Sequence, residues 1–215
     1  MTHTLHRTGE MKSLEKDYVI LSMAAQKFND RGAREKLAQT LRILAKYDPV
    51  NLADDNQGGI YTGKTIEELL DNMNDKAYIG AVFTDEVTLE KALRKLKEAS
   101  LGMSVVVSGP FEKVFRVARK VGLKPHTVHM SLGVFGSVDL LPEKDVLEIT
   151  TMCGHAMVTP CCIEKTVRKV EKGKVDSLQA AKDLAGSCTC GIFNVDRVAQ
   201  IIEKLCVVRA TGSGG

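Results

Sequence analysis

Tryptophan is absent from this sequence, and only 5% of its residues are aromatic. That scarcity leaves little material for the stacking platforms on which single-stranded nucleic acids bind. A dominant charge is missing too: 30 Lys and Arg stand against 27 Asp and Glu, a formal net charge of +3. Such near balance argues against a nucleic-acid binder and against a membrane-surface protein. No apolar run approaches the roughly 20 residues that span a bilayer. Met1 to Asp17 is polar and lacks the apolar stretch of a secretory signal. The absences together predict a cytoplasmic protein with neither nucleic-acid nor membrane partners. Repeats and low-complexity blocks are also missing, apart from the linker-like close from Thr211 to Gly215.

What is present suits a globular chain. In 215 residues, 44% apolar and 27% charged, there is enough material for a sizeable core. Tyr18 to Ala24 reads as a buried strand, and Leu37, Leu41 and Leu44 mark a helix within Ala33 to Tyr47. Asp48 to Gly63 is rich in Asp, Asn and Gly and reads as a long loop. Thr65-Ile-Glu-Glu68 is a capping box that opens a helix to about Met73. Then come a strand at Tyr78 to Phe83, a helix on Leu89, Ala92, Leu93 and Leu96, and a strand at Met103 to Val107. A helix on Phe111, Val114, Phe115, Ala118 and Val121 and a strand beginning at Val128 to Leu132 follow. Val146 to Thr151 reads as one more strand.

Strands alternating with helices over short connections imply right-handed crossovers and a parallel sheet. A ferredoxin-like arrangement needs two consecutive strands in a hairpin, and the pattern shows none. The expected fold is therefore α/β: a parallel, Rossmann-like sheet flanked by helices, with a helical cysteine-rich segment at the C-terminal end. It divides into a core over residues 1–151, a cysteine-containing segment over 152–208 packed on that core, and a disordered tail over 209–215. Helices are expected at Pro160 to Glu171, Leu178 to Leu184 and Val195 to Cys206.

Five of the six cysteines lie between Cys153 and Cys190. In a reducing compartment, cysteines are metal ligands or reactive thiols more often than disulfides. Cys153 and His155 leave the end of an expected strand. Thr159 and Pro160 set up a helix start for Cys161 and Cys162, and Cys188 and Cys190 precede Asn194, the expected cap of the last helix. Turns and helix starts supply N–H groups that favour thiolate, the form that binds metal. Gly154 and Gly191 allow close backbone approach. Cysteine is also a common core residue, and Cys206 continues the apolar face of Val195, Val198, Ala199, Ile202 and Leu205.

Cys153, Cys188 and Cys190 are the expected ligands, with Cys162 and His155 as candidates to complete the set. An all-thiolate set suits an iron–sulfur cluster of the 4Fe-4S kind, whereas Cys153, His155, Cys188 and Cys190 suit zinc. Three cysteines without a fourth leave a position open for substrate. On that reading the chain is an enzyme acting on a small molecule by lyase, dehydratase or redox chemistry. Its composition admits a homo-oligomer. On a strand, His129 shares a polar face with Thr127 and Ser131 near the sheet's carboxyl edge, where it would join Ser108 and His155 in a substrate pocket. His126 sits at the strand's start, and His3 and His6 fall in an expectedly frayed terminus.

Two alternatives stand beside this. Gly58 to Thr65 satisfies the P-loop pattern literally, with Lys64 and Thr65 for phosphate and Mg²⁺ and Asp85 beyond the next strand. A P-loop leaves a buried strand, however, and the polar stretch Asn51 to Gln57 reads as loop. The other alternative is a structural zinc or thiol-redox module, in the second form of which Cys188 and Cys190 cycle between dithiol and disulfide.

Overall fold

The computed structural model describes residues 4–212. After a short turn, α1 (Met11–Leu14), the chain enters strand β1 (Tyr18–Met23) and helix α2 (Arg34–Ala45). A hairpin follows, made of β2 (Asn51–Asp54) and the two-residue β3 (Gly58–Gly59), and then α3 (Ile66–Asp71). The capping box predicted at Thr65 is present: Thr65 Oγ1 accepts from the Glu68 N–H, and Glu68 accepts from the Thr65 N–H. Next come β4 (Tyr78–Phe83), α4 (Glu86–Ala99), β5 (Ser104–Ser108) and α5 (Phe111–Val121). Four helices end the chain: α6 (Lys144–Thr150), α7 (Pro160–Glu171), α8 (Ser177–Ala185) and α9 (Val195–Gly212).

The sheet is not the expected parallel, Rossmann-like one. Its order is β3-β2-β4-β1-β5, and every neighbouring pair is antiparallel. The cause is β2. Asn51 to Asp54, which reads as loop, is a fully buried strand whose polar side chains are satisfied internally. Asn51 donates to the Phe193 carbonyl, and Asp54 accepts from the Tyr78 N–H and from Gln57. Once β2 exists, β4 pairs back against it and inserts between β2 and β1. β1–α2–β2 and β4–α4–β5 thus become two split βαβ units. This is the ferredoxin-like order, with β3 and α3 placed within its central hairpin.

Two further expected strands are absent. Val146 to Thr151 belongs to helix α6, because Val146 and Ile149, three apart, share a buried face. Val128 to Leu132 forms no strand; the whole stretch 124–141 is exposed and irregular apart from a 3₁₀ turn at Val138–Leu140.

The two faces of the sheet build two cores. Tyr18 and Ile20 of β1 and Ile79, Ala81 and Phe83 of β4 face α2, α4 and α5. Val19, Leu21 and Val82 face the other way, into Val146, Ile163, Leu184, Phe193, Val198 and Ile202 of the C-terminal helices. The strand period of two therefore divides β1 between opposite layers.

A buried ionic knot locks the C-terminal layer to the rest. Arg197, in the first turn of α9, pairs with Asp17 at 2.6 Å and with Glu148 of α6 at 2.8 Å. Asn194 caps α9 as expected, accepting from the Arg197 N–H while donating to Asp17. The N-terminal stretch is held rather than frayed: Thr4 is buried, and Arg7 pairs with Asp17. His6 is exposed, and His3 lies outside the described residues. At the other end, residues 209–212 continue α9 instead of forming a tail, and 213–215 lie outside the described residues. No helix among the described residues is long and apolar enough to cross a membrane.

Candidate functional site

Two four-residue turns face each other across the C-terminal layer. The first, Cys153 to Ala156, follows α6 and closes with a bond from the Ala156 N–H to the Cys153 carbonyl. The second, Cys188 to Gly191, follows α8 and closes the same way, Gly191 N–H to Cys188 carbonyl. In both, the fourth residue has positive φ, 56° at Ala156 and 65° at Gly191. The second turn lies flat on the sheet. A Cβ at Gly191 would meet Ala53 of β2, and a Cβ at Gly80 of β4 would meet the Cys190 carbonyl. Glycine is required at both places for close approach of backbones.

The turns bring Cys153, Cys188, Cys190 and His155 together. Cys153 and Cys188 share a hydrogen bond, Cys188 Sγ lies 3.7 Å from Cys190 Sγ, and Cys190 Sγ lies 3.6 Å from His155 Nδ1. Each turn has the same spacing, ligand type to ligand type, so Cys153 stands opposite Cys188 and His155 opposite Cys190. The three cysteines are buried, while His155 is exposed and covers Cys190 from the solvent side. Backbone N–H groups point at all three sulfurs, from Met157 and Val158 at Cys153 and from Ile192 at both Cys188 and Cys190. An inert apolar filler has no need of such donors. They favour sulfur that carries negative charge.

The three thiols divide the burden unequally. The contact with Cys188, and then burial, push the Cys153 thiol up. At Cys188 the bond to Cys153 pulls down, but the Cys190 contact and burial outweigh it, and the thiol rises to about 12. Cys190 is lowered, first by the hydrogen bond from Cys188. One thiolate among three sulfurs is thus favoured at Cys190, and a second negative charge beside it is disfavoured unless a cation joins them.

Sequence reasoning missed three neighbours. Tyr78, at the head of β4, is near enough to Cys190 for its phenol to be raised by burial first and by that sulfur second. Asp55 accepts from Thr189 at 3.4 Å, beside the second turn. Arg7 donates to the Met152 and Ile192 carbonyls, which adjoin the two turns, and so ties the turns together from behind. Nothing in the local sequence at these residues signals the contact, since each lies more than 70 residues from the nearest of the two turns.

Other expected residues lie elsewhere. Cys161 and Cys162 are exposed in the first turn of α7, where Thr159 caps the Cys162 N–H as predicted. Cys206 is half-buried against the C-terminal core. Ser108 ends β5, two strands from the one bearing Gly80, and its hydroxyl bonds Thr4 Oγ1 at 2.7 Å. His129 and His126 are exposed within 124–141.

The Gly58 to Thr65 match follows a strand after all, but its groups are turned inward. Thr62 bonds the Gly59 N–H, the Lys64 N–H goes to the Gly59 carbonyl, and Thr65 caps α3. Asp85 caps α4 by accepting from Thr88. Among the described residues, no group of three or more His, Cys, Asp or Glu is arranged to hold a metal ion. The cysteine–histidine contacts form a chain rather than corners around one point. The sequence matches no protein-family model, no curated protein and no solved structure.

Proposed function

We propose that the protein binds a soft metal ion through Cys153, Cys188, Cys190 and His155. The observation that carries this reading is the pairing of two matched turns, each offering two donors, with backbone N–H groups aimed at the sulfurs. Coordination would need only the open side of the quadrilateral to close, drawing Cys153 and His155 of the same turn onto one ion. A tetrahedral zinc, with bonds of about 2.3 Å to sulfur and about 2.0–2.1 Å to nitrogen, has ligand-to-ligand edges close to the 3.7 Å and 3.6 Å contacts. A 4Fe-4S cluster gives each thiolate its own iron and holds the sulfurs further apart. Single-ion binding therefore suits this site better than the cluster expected from the cysteines alone. His155, the exposed corner, is the donor whose release would open a position for a small-molecule substrate. Lewis-acid lyase chemistry would enter there.

Metal analysis of protein purified without oxygen tests this reading. One equivalent of zinc is expected, reduced by Cys153→Ser, Cys188→Ser or Cys190→Ser and unaffected by Cys161→Ser or Cys162→Ser. Iron with sulfide would restore the cluster reading. A metal-free protein that also fails to take up zinc or cobalt in titration would sink both.

One observation favours a second reading, thiol redox exchange between Cys188 and Cys190. Their sulfurs are in contact, and the Cys190 thiol is the lowered one. Reversible loss of two titratable thiols under mild oxidant, abolished by Cys188→Ser, would support it.

A further inference from the structure

We propose that the segment from His126 to Phe135 pairs with the open edge of β5 in a second copy of this chain, giving a two-fold symmetric dimer. The structure leaves both halves of such an interface unused. Among the described residues, β5 bonds to β1 on one side only, and its other edge carries no strand. Unpaired edges of this kind are templates for strand addition.

The second half is the stretch 124–141, in which every residue is exposed. It is far from polar. Leu132 is 82% exposed and Phe135 80%, and Val128, Met130 and Val134 are exposed as well. Val128, Met130, Leu132 and Val134 alternate with Thr127, His129, Ser131 and Gly133, the period-two pattern of a strand with one buried face. Yet no backbone hydrogen bond joins residues 124–135 to the rest of the described chain. A strand pattern without a partner, exposed over this length, marks an interaction surface.

The receiving side is shaped for it. Beside β5 lies a largely apolar cavity of about 310 Å³ lined by Leu93, Leu96, Leu101, Met103, Val105 and Leu123. A strand laid along β5 would set its apolar side chains against Val105 and the mouth of this cavity. Because one chain carries both the strand pattern and the edge that fits it, a second copy is the occupant that satisfies both at once. Each chain gives its segment and receives the other's, a closed isologous exchange. Together with the apolar side chains, two such strand pairs can reach the roughly 1,200–2,000 Å² that specific interfaces bury.

Light scattering and sedimentation of the full chain over a range of concentrations test the proposal. A mass twice the 23.5 kDa of one chain is expected. Leu132→Asp with Phe135→Asp damages the segment, and Val105→Lys damages the edge. Each variant alone should run as a single chain while keeping the wild-type circular dichroism. Mixed, they should form heterodimers, because one intact segment then meets one intact edge. Wild-type protein that stays a single chain at every concentration overturns the proposal, as do variants that remain dimeric or a mixture that never associates.

Discussion

The carbonyl oxygen of Cys190 occupies the place that a side chain at Gly80 would need. The cysteine turn and the central strand β4 are therefore in backbone contact, and any side chain at residue 80 lifts the turn off the sheet. Gly80→Ala should destabilise the fold by about 1–3 kcal/mol, the usual cost of overpacking. It should also expose the sulfurs of Cys188 and Cys190. Denaturant midpoints and the rate of thiol labelling in the native state measure the two effects. An alanine variant with unchanged midpoint and labelling rate would show that the turn does not rest on the sheet.

Arg7 acts on the site from behind, through the Met152 and Ile192 carbonyls, while also pairing with Asp17. Arg7→Ala removes one partner of a fully buried carboxylate, a loss that typically costs about 3–5 kcal/mol. Arg7→Lys keeps the charge but not the fork that reaches Asp17 through Nη1 and the two carbonyls through Nη2. It should recover part of the stability while leaving thiol labelling faster than in the wild type. Equal labelling in Arg7→Lys and wild type would limit the role of Arg7 to its charge.

Asp17 sets an acid limit. Burial pushes its carboxyl up, but Arg7 and Arg197 more than offset this and hold it below the usual value of 3.8. A folded-state pKa below the unfolded one means that ionised Asp17 contributes its full stability above about pH 4. That contribution is lost as the pH falls through 3.8 towards the folded-state value. Urea midpoints should drop in this window, and Asp17→Asn should be less stable at neutral pH with a flatter acid profile. A variant whose acid profile matches the wild type would place the titration elsewhere.

The six cysteines should separate by reactivity. Cys161 and Cys162 are exposed, Cys206 is half-buried, and Cys153, Cys188 and Cys190 are buried. Two thiols should label rapidly in the native protein, and Cys161→Ser with Cys162→Ser should remove that fast phase. The three clustered thiols should label only with opening of the first turn or with unfolding. Rapid labelling of Cys188 would contradict the packing of the second turn.

Much of the helical layer was readable because its caps are local. Thr65, Thr159 and Asn194 announce α3, α7 and α9 within three residues of the bonds they make. The sheet was less readable because its decisive strand is polar. Asn51 and Asp54 look like loop residues until the Phe193 carbonyl and the Tyr78 N–H supply their partners, and those come from distant parts of the chain. At Val128 to Leu132 the alternation of a strand is present, but no backbone–backbone hydrogen bond joins these residues to the rest of the described chain. At the site, Cys188, Cys190 and His155, which lie close in sequence, are also in contact in the structure. Cys162 shares their neighbourhood in sequence but is exposed where the three clustered sulfurs are buried. Helix α7 turns it outward, and only the fold could show that.

The C-terminal helices cover the sheet face opposite α2, α4 and α5, so neither broad surface of this sheet is left to receive a ligand. On the two proposals made above, recognition would fall instead to the paired cysteine turns and to the bare border of β5. A molecule built in this way would meet its surroundings at a gap and at a seam. Changes that alter what it recognises should therefore concentrate in short connecting stretches while the layered interior stays as it is.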